Sequence, residues 1–171
     1  MNSAATEFWS KRVQCDTDIL VAYALMKTGC RHQAADIVQD AFLAAIRSGT
    51  QPANPRAYLM QAVRRRSAEL SRSKIEVSRL VQDVADKRIA DSDSRPATRT
   101  DAPGDVDVWR VVAQLSPDFQ EVIMMRINGE FSFAEISEII GAPIGTVTSR
   151  YSRALAELRR KLQSGKPDER P

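Results

Sequence analysis

"GAPIGTVTSRYSRALAELRRKL", residues 141–162, decides how this chain folds. It is either a helix that reads DNA or the basic amphipathic end of some other helical protein. Val147, Tyr151, Ala154, Leu155, Leu158 and Leu162 recur at helical spacing and form one apolar stripe. Thr146, Ser149, Arg150 and Arg153 stand at i, i+3, i+4 and i+7 on the opposite side. One face therefore packs, and the other offers hydroxyls and guanidiniums near the helix start. Gly141 ends the preceding element, residues 142–145 make the turn, and Thr146 is expected to open the new helix.

The residues upstream decide between the two possibilities. In "SFAEISEII", residues 132–140, Ser132 and Glu135 have capping-box spacing, and Phe133, Ile136, Ile139 and Ile140 make a buried side. "SPDFQEVIMMRI", residues 116–127, begins with Ser116 as an N-cap and Pro117 in the first helical position, with Phe119, Val122 and Ile123 inward. "DVWRVVAQL", residues 107–115, adds Val108, Val111, Val112 and Leu115, and "NGE" at 128–130 is a turn. A short helix, a tight turn and a basic amphipathic helix form a helix-turn-helix, whose second helix presents its first turns to base edges in the major groove. A basic helix alone is more often a solvated face; with its caps and turn in register it points to DNA. A bidentate arginine–guanine contact discriminates by about 1–3 kcal/mol. Arg159, Arg160 and Lys161, further along, suit phosphates or water.

The N-terminal half is a second helical block, from Asp16 to about Ser48. In "QAADIVQDAFLAAIR", residues 33–47, Val38, Ala41, Phe42 and Ala45 form the buried stripe, while Asp36, Gln39 and Asp40 lie on another face. "SGTQPANP" breaks the chain, and a further helix starts near Pro55 with Tyr58, Leu59, Ala62 and Val63 inward, followed by Arg64, Arg65 and Arg66. The pattern fades after about residue 88. "ADSDSRPATRTDAPGD", residues 90–105, has no apolar periodicity and reads as a linker. With its flanks, residues 81–108, it spans about 90 Å at most and roughly 30 Å as a coil.

Charge follows the same division. The net charge of +3 is too small to argue for nucleic acid, but residues 56–79 carry +5, residues 83–107 carry −3 and residues 145–170 carry +4. Aromatic residues are only 6% of the chain, which suits helical bundles better than sheets. Cys15, Cys30 and the single His32 match no zinc spacing, so free thiols and no metal are expected. No signal peptide and no apolar run of membrane-spanning length is visible, and a cytoplasmic location is expected. No catalytic constellation or phosphate-cradling glycine loop appears, so neither enzyme activity nor a cofactor is expected.

"LSPDFQEVIMMRINGEFSFAEISEIIGAPIGTVTSRYSRALAELRRKL", residues 115–162, resembles region 4 of the extracytoplasmic-function (group IV) sigma factors of bacterial RNA polymerase. "ADIVQDAFLAAIR", residues 35–47, resembles their region 2 at the right distance. The resemblance implies an all-α fold of two small domains: residues 1–80 for polymerase docking and the promoter −10 element, and residues 106–163 for the −35 element. A flexible linker, residues 81–105, would join them, and a tail would follow at 164–171. It places Asp36, Gln39 and Asp40 against the coiled coil of the polymerase largest subunit. Residues 51–54, with Gln51 and Asn54, would form the loop that holds a flipped base, and Arg56, Arg64, Arg65 and Arg72 would line the strand path. Thr146, Ser149, Arg150 and Arg153 match the family's −35 contacts. Promoter DNA and core polymerase are the implied partners, and an inhibitory anti-sigma factor is common in the family.

The chain departs from the family pattern at Tyr58, Arg65 and Glu69, where tryptophan, asparagine and aspartate are usual, and at Thr148, where a basic residue is common. Two other functions fit the same residues. One is a stand-alone helix-turn-helix regulator; the other is a sigma-like interaction protein that binds polymerase without melting DNA.

Overall fold

Apolar stripes at helical spacing become helices throughout the computed structural model, which describes residues 3–82 and 108–164. No strand occurs among the described residues. The chain divides into two compact units. The first holds α1 (Ser3–Thr28), α2 (Arg31–Ser48) and α3 (Pro55–Gln82). The second holds α4 (Val108–Val112), α5 (Pro117–Ile123), a π-helical turn (Met124–Asn128), α6 (Phe133–Ile140) and α7 (Ile144–Ser164). The linker expected at 81–105 and the tail expected at 164–171 lie, but for residues 81, 82 and 164, outside the described residues.

In the first unit α1 packs on both α2 and α3, and α2 packs on α3. The expected stripe of Val38, Ala41, Phe42 and Ala45 is buried, joined by Ala34 and Ile37. Leu20, Tyr23 and Ala24 of α1 and Leu59, Met60 and Val63 of α3 are all fully buried. Each fully buried aliphatic or aromatic side chain contributes about 1.5–3 kcal/mol, offset by the ordering of the chain. Leu59 and Val63 point inward as expected, whereas Tyr58 and Ala62 are only half-buried; Met60 and Ser67 take the inner positions instead.

The helical block expected from Asp16 to Ser48 is two helices, and the first begins thirteen residues earlier. The break is Gly29, at φ 68°, in the left-handed region where a side chain is strained. Its N–H donates to the Leu25 carbonyl at 2.8 Å, and the chain then reverses. Gly49 ends α2 in the same way, at φ 66°. Asn54 starts α3: its Oδ1 accepts from the Ala57 N–H at 3.0 Å, an Asn N-cap followed by proline in the first turn.

The second unit is built on α7. Val112, Leu115, Ile123, Ala154 and Leu158 form one cluster, with Trp109, Phe119, Tyr151 and Leu162 packed around it. Val147, Ile136 and Ile139 are buried as expected, whereas Phe133 and Ile140 are half-buried and Val108 is exposed at the start of its short helix. Between α5 and α6 the chain widens into the π-helical turn, where the Gly129 N–H donates to the Met124 carbonyl at 3.0 Å. Gly129 is fixed by close approach. A Cβ there would stand 2.6 Å from both the Met125 carbonyl oxygen and the Phe131 ring. The positive φ of this turn falls instead on Glu130, at 53°.

The capping box is present as expected. The Ser132 Oγ accepts from the Glu135 N–H at 3.2 Å, and the Glu135 carboxylate accepts from the Ser132 N–H at 2.7 Å. Gly141, at φ 69°, ends α6. Replacing Ser132 by alanine removes one half of this exchange, and the expected cost is about 1 kcal/mol. Thermal unfolding of the second unit should shift down by about 4–8 °C, with the first unit unchanged.

Candidate nucleic-acid interface

The helix-turn-helix is α6, the turn at residues 141–143, and α7. Helix α7 opens two residues before the expected Thr146. The Pro143 carbonyl accepts from the Thr146 N–H at 2.9 Å and from the Val147 N–H at 3.1 Å, so Ile144 and Gly145 already belong to the helix. Proline cannot donate within a helix but its carbonyl can close the first turn, so the boundary falls at Pro143 rather than at the first hydroxyl. Val147, Ala154 and Leu158 fix the orientation of α7 by packing inward, and the Tyr151 ring meets the Phe133 ring edge-on at 5.4 Å.

On the outer face Thr146, Ser149 and Arg153 are exposed along successive turns. Arg153 has no ion-pair partner among the described residues. Arg150 differs. It is half-buried, and its Nη2 lies 2.9 Å from the Asp118 Oδ2 in the first turn of α5. The guanidinium is thus tied back to the neighbouring helix while it remains at the edge of the same face. Thr148 turns its hydroxyl to the Gly145 carbonyl, at 3.1 Å.

In the first unit the expected residues separate into distinct surroundings. Gln51 is exposed on the loop between α2 and α3, and Asn54, at its end, spends its side-chain oxygen on the helix cap. Arg56 is half-buried, with its Nε 3.4 Å from the Oδ1 of Asp16, a carboxylate only 4% exposed on α1. Arg64 is half-buried, while Arg65 and Arg72 are exposed. Arg65 lies 3.9 Å from Glu69 one turn on, a solvated contact worth little. On α2, Asp36, Gln39 and Asp40 are all exposed, and Asp40 reaches Arg66 of α3 at 3.3 Å. A shallow groove between α2 and α3 is lined by Asp36, Ile37, Arg66, Glu69 and Leu70.

Three residues that organise these surfaces escaped the sequence pattern. Asp118 pairs with Arg150, and Asp16 pairs with Arg56. The third is Trp9, fully buried near the start of α1. Its Nε1–H donates to the Thr50 carbonyl at 3.2 Å, and its ring lies 5.8 Å from that of Tyr58. Trp9, Asp16, Leu20 and Tyr23 share one helical face, so an acid embedded in an apolar stripe was the available signal. Among the described residues no cluster of histidine, cysteine and carboxylates is placed to hold a metal ion, and Cys15 and Cys30 are free thiols. No described helix is long and apolar enough to cross a membrane.

Family comparisons match both halves. Residues 14–74 match the model of sigma-70 region 2, and residues 105–158 match that of sigma-70, region 4. The ECF RNA polymerase sigma factor SigC of Mycobacterium tuberculosis is 28% identical, over 98% of this chain and 87% of its own length. The ECF RNA polymerase sigma factor SigE of Mycolicibacterium smegmatis is 25% identical over 92% of this chain, which spans only 63% of that relative. Among solved structures, the sigma factor RpoE of Bartonella quintana, crystallised with the anti-sigma factor NepR, superposes with a TM-score of 0.67. It is 26% identical, over 92% of this chain and 98% of that one. CnrH, in complex with the cytosolic domain of CnrY, shares the fold, with a TM-score of 0.61 at 21% identity, over 92% of this chain and 89% of that one. With regions 2 and 4 matched in order on two helical units, this chain belongs to the extracytoplasmic-function group of the sigma-70 family of RNA polymerase sigma factors.

Proposed function

We propose that this chain directs transcription initiation by docking on core RNA polymerase and recognising the −10 and −35 elements of its promoters. The observation that carries this is the outer face of α7, where Thr146, Ser149 and Arg153 stand exposed while Val147, Ala154 and Leu158 anchor the helix from behind. Those side chains, with Arg150, read the −35 element from the major groove. The exposed acidic and amide side chains of α2, Asp36, Gln39 and Asp40, meet polymerase. The loop at residues 51–54 receives a flipped −10 base, and Arg64, Arg65 and Arg72 hold the phosphates of the separated strand. Extruding a base costs a few kcal/mol, which backbone contacts of this kind offset. Arg56 serves that strand from the edge of its ion pair with Asp16.

The chain lends polymerase its promoter choice and makes no bonds itself, and it works in the cytoplasm where polymerase is. Two weakly basic modules bind DNA poorly alone; carried on one polymerase and joined through residues 81–105, each raises the effective concentration of the other. An anti-sigma factor is a further partner, in keeping with the RpoE complex with NepR.

Run-off transcription with purified core enzyme tests this directly. Specific start sites are expected. A stand-alone helix-turn-helix regulator gives none and leaves core unbound, and a non-melting interaction protein binds core yet gives none. Asp36→Lys places a like charge against the polymerase surface that α2 meets. Association with core, measured by fluorescence anisotropy, should weaken by about tenfold while the thermal stability of the chain stays unchanged.

A further inference from the structure

The loop at residues 49–54 is exposed at its tip and fixed at its base. Gly49 sets its entry in the left-handed conformation. The Ser48 and Thr50 hydroxyls meet, and the Thr50 N–H donates to the Ser48 Oγ at 3.2 Å. Asn54 closes it by capping α3. All of these contacts are local. One is not: the Trp9 indole N–H, forty-one residues away in sequence, donates to the Thr50 carbonyl. The same indole faces the Tyr58 ring at a tilt of 37°, and Phe8 packs edge-on against it at 5.1 Å. Trp9 therefore touches both ends of the stretch from the loop to the first turn of α3.

A core tryptophan needs its ring buried and its N–H satisfied, and many partners would meet that need. Here the partner is the loop. Thr50 is exposed as a residue, yet its carbonyl is turned to the fully buried indole. What the bond supplies is position. It holds the loop against α1, with Gln51 and Ala53 facing outward. A surface that must receive an unstacked base gains from being set beforehand, because ordering it during capture subtracts from binding.

We propose that Trp9 is a positioning residue for promoter opening: its indole N–H holds the loop at residues 51–54, and its ring holds Tyr58, in the geometry that captures the unpaired −10 strand. This rests on the proposal that the chain is a promoter-opening sigma factor. The test replaces Trp9 by 3-benzothienylalanine, which keeps the ring shape and deletes only the N–H, with Trp9→Phe as an encoded companion. Each full-length variant is combined with core polymerase on the promoter of the strongest start site mapped for the wild-type chain.

Three quantities are read: association with core, retention of the closed promoter complex, and permanganate reactivity of −10 thymines as the measure of opening. With the benzothienyl variant the first two should stay within twofold of wild type and opening should fall by about fivefold, the worth of one hydrogen bond. Trp9→Phe should fall at least as far in opening. A template already unpaired across the −10 element should also bind more weakly. Unchanged opening with the benzothienyl variant overturns the proposal, as does a parallel loss of core association, which marks a folding role. If the wild-type chain itself opens no promoter with core, the proposed function fails and this inference fails with it, an outcome that the wild-type arm alone reveals.

Discussion

Arg153→Ala should lower promoter-specific transcription by about thirtyfold, the factor that corresponds to about 2 kcal/mol of lost −35 discrimination. Thermal stability should not change, because the Arg153 side chain is exposed and has no ion pair among the described residues. Start-site mapping with core enzyme, on the native −35 sequence and on single-base variants of it, gives the measurement. If Arg153 reads a base, the loss is confined to one position and the variant no longer distinguishes bases there. If it binds phosphate, all sequences weaken alike and the salt slope of binding drops by about one. Arg150→Ala is the useful contrast. Arg150 already spends one side of its guanidinium on Asp118 at 2.9 Å, so a neighbouring acid accompanies every contact it makes. The pair is half-buried on the Arg150 side and exposed on the Asp118 side, and removing it should leave the second unit stable to within about 1 kcal/mol.

The second large effect falls on the first unit. Arg56→Ala leaves the Asp16 carboxylate buried on α1 with its cationic neighbour gone. Breaking a buried pair from one side costs about 3–5 kcal/mol; the half-exposed Arg56 places this case near the lower figure. An 80-residue unit should then melt about 12–24 °C lower, while the second unit unfolds as before. Loss of −10 function in this variant would follow from unfolding and would say nothing of strand contact. The double replacement Asp16→Leu with Arg56→Met should recover most of the stability, since apolar side chains of similar size match or exceed a buried ion pair. Differential scanning calorimetry of the single and double variants separates these outcomes. A single variant as stable as wild type would show that Asp16 is satisfied without Arg56.

What the sequence makes legible depends on how local each signal is. The capping box of Ser132 and Glu135 and the glycine stop at Gly141 each occupy a single turn and are found where the pattern put them; of the stripe expected on α7, Val147, Ala154 and Leu158 are buried, while Tyr151, Leu155 and Leu162 are half-buried. The stripe of α2 is legible for the same reason. Boundaries set by competing chemistry were harder. Thr146 has the right hydroxyl for a helix start, yet the Pro143 carbonyl takes the first bonds and carries the start upstream. Gly29 went unread because apolar periodicity continues on both sides of it, and only the sharp reversal reveals its left-handed backbone.

The proposed interface can be written from the sequence as a list of residues but not as an arrangement. Arg150 and Arg153 look alike in sequence, and only packing of α5 against α7 brings Asp118 to one of them. Arg56 looks like one more member of a basic run, and only packing of α1 against α3 places Asp16 beside it. Pairs separated by thirty or forty residues leave no periodic trace. The nearest to one was Asp16 itself, a charge on an otherwise apolar face, where burial is tolerable only with a partner.

The chain has two tryptophans, and the fold gives one to each unit: Trp9 buried beneath the loop of the first, Trp109 half-buried against α7 in the second. Each half thus carries its own intrinsic fluorophore. Emission from Trp109→Phe protein follows the first unit, and emission from Trp9→Phe protein follows the second, so the melting of either half is visible without a dye.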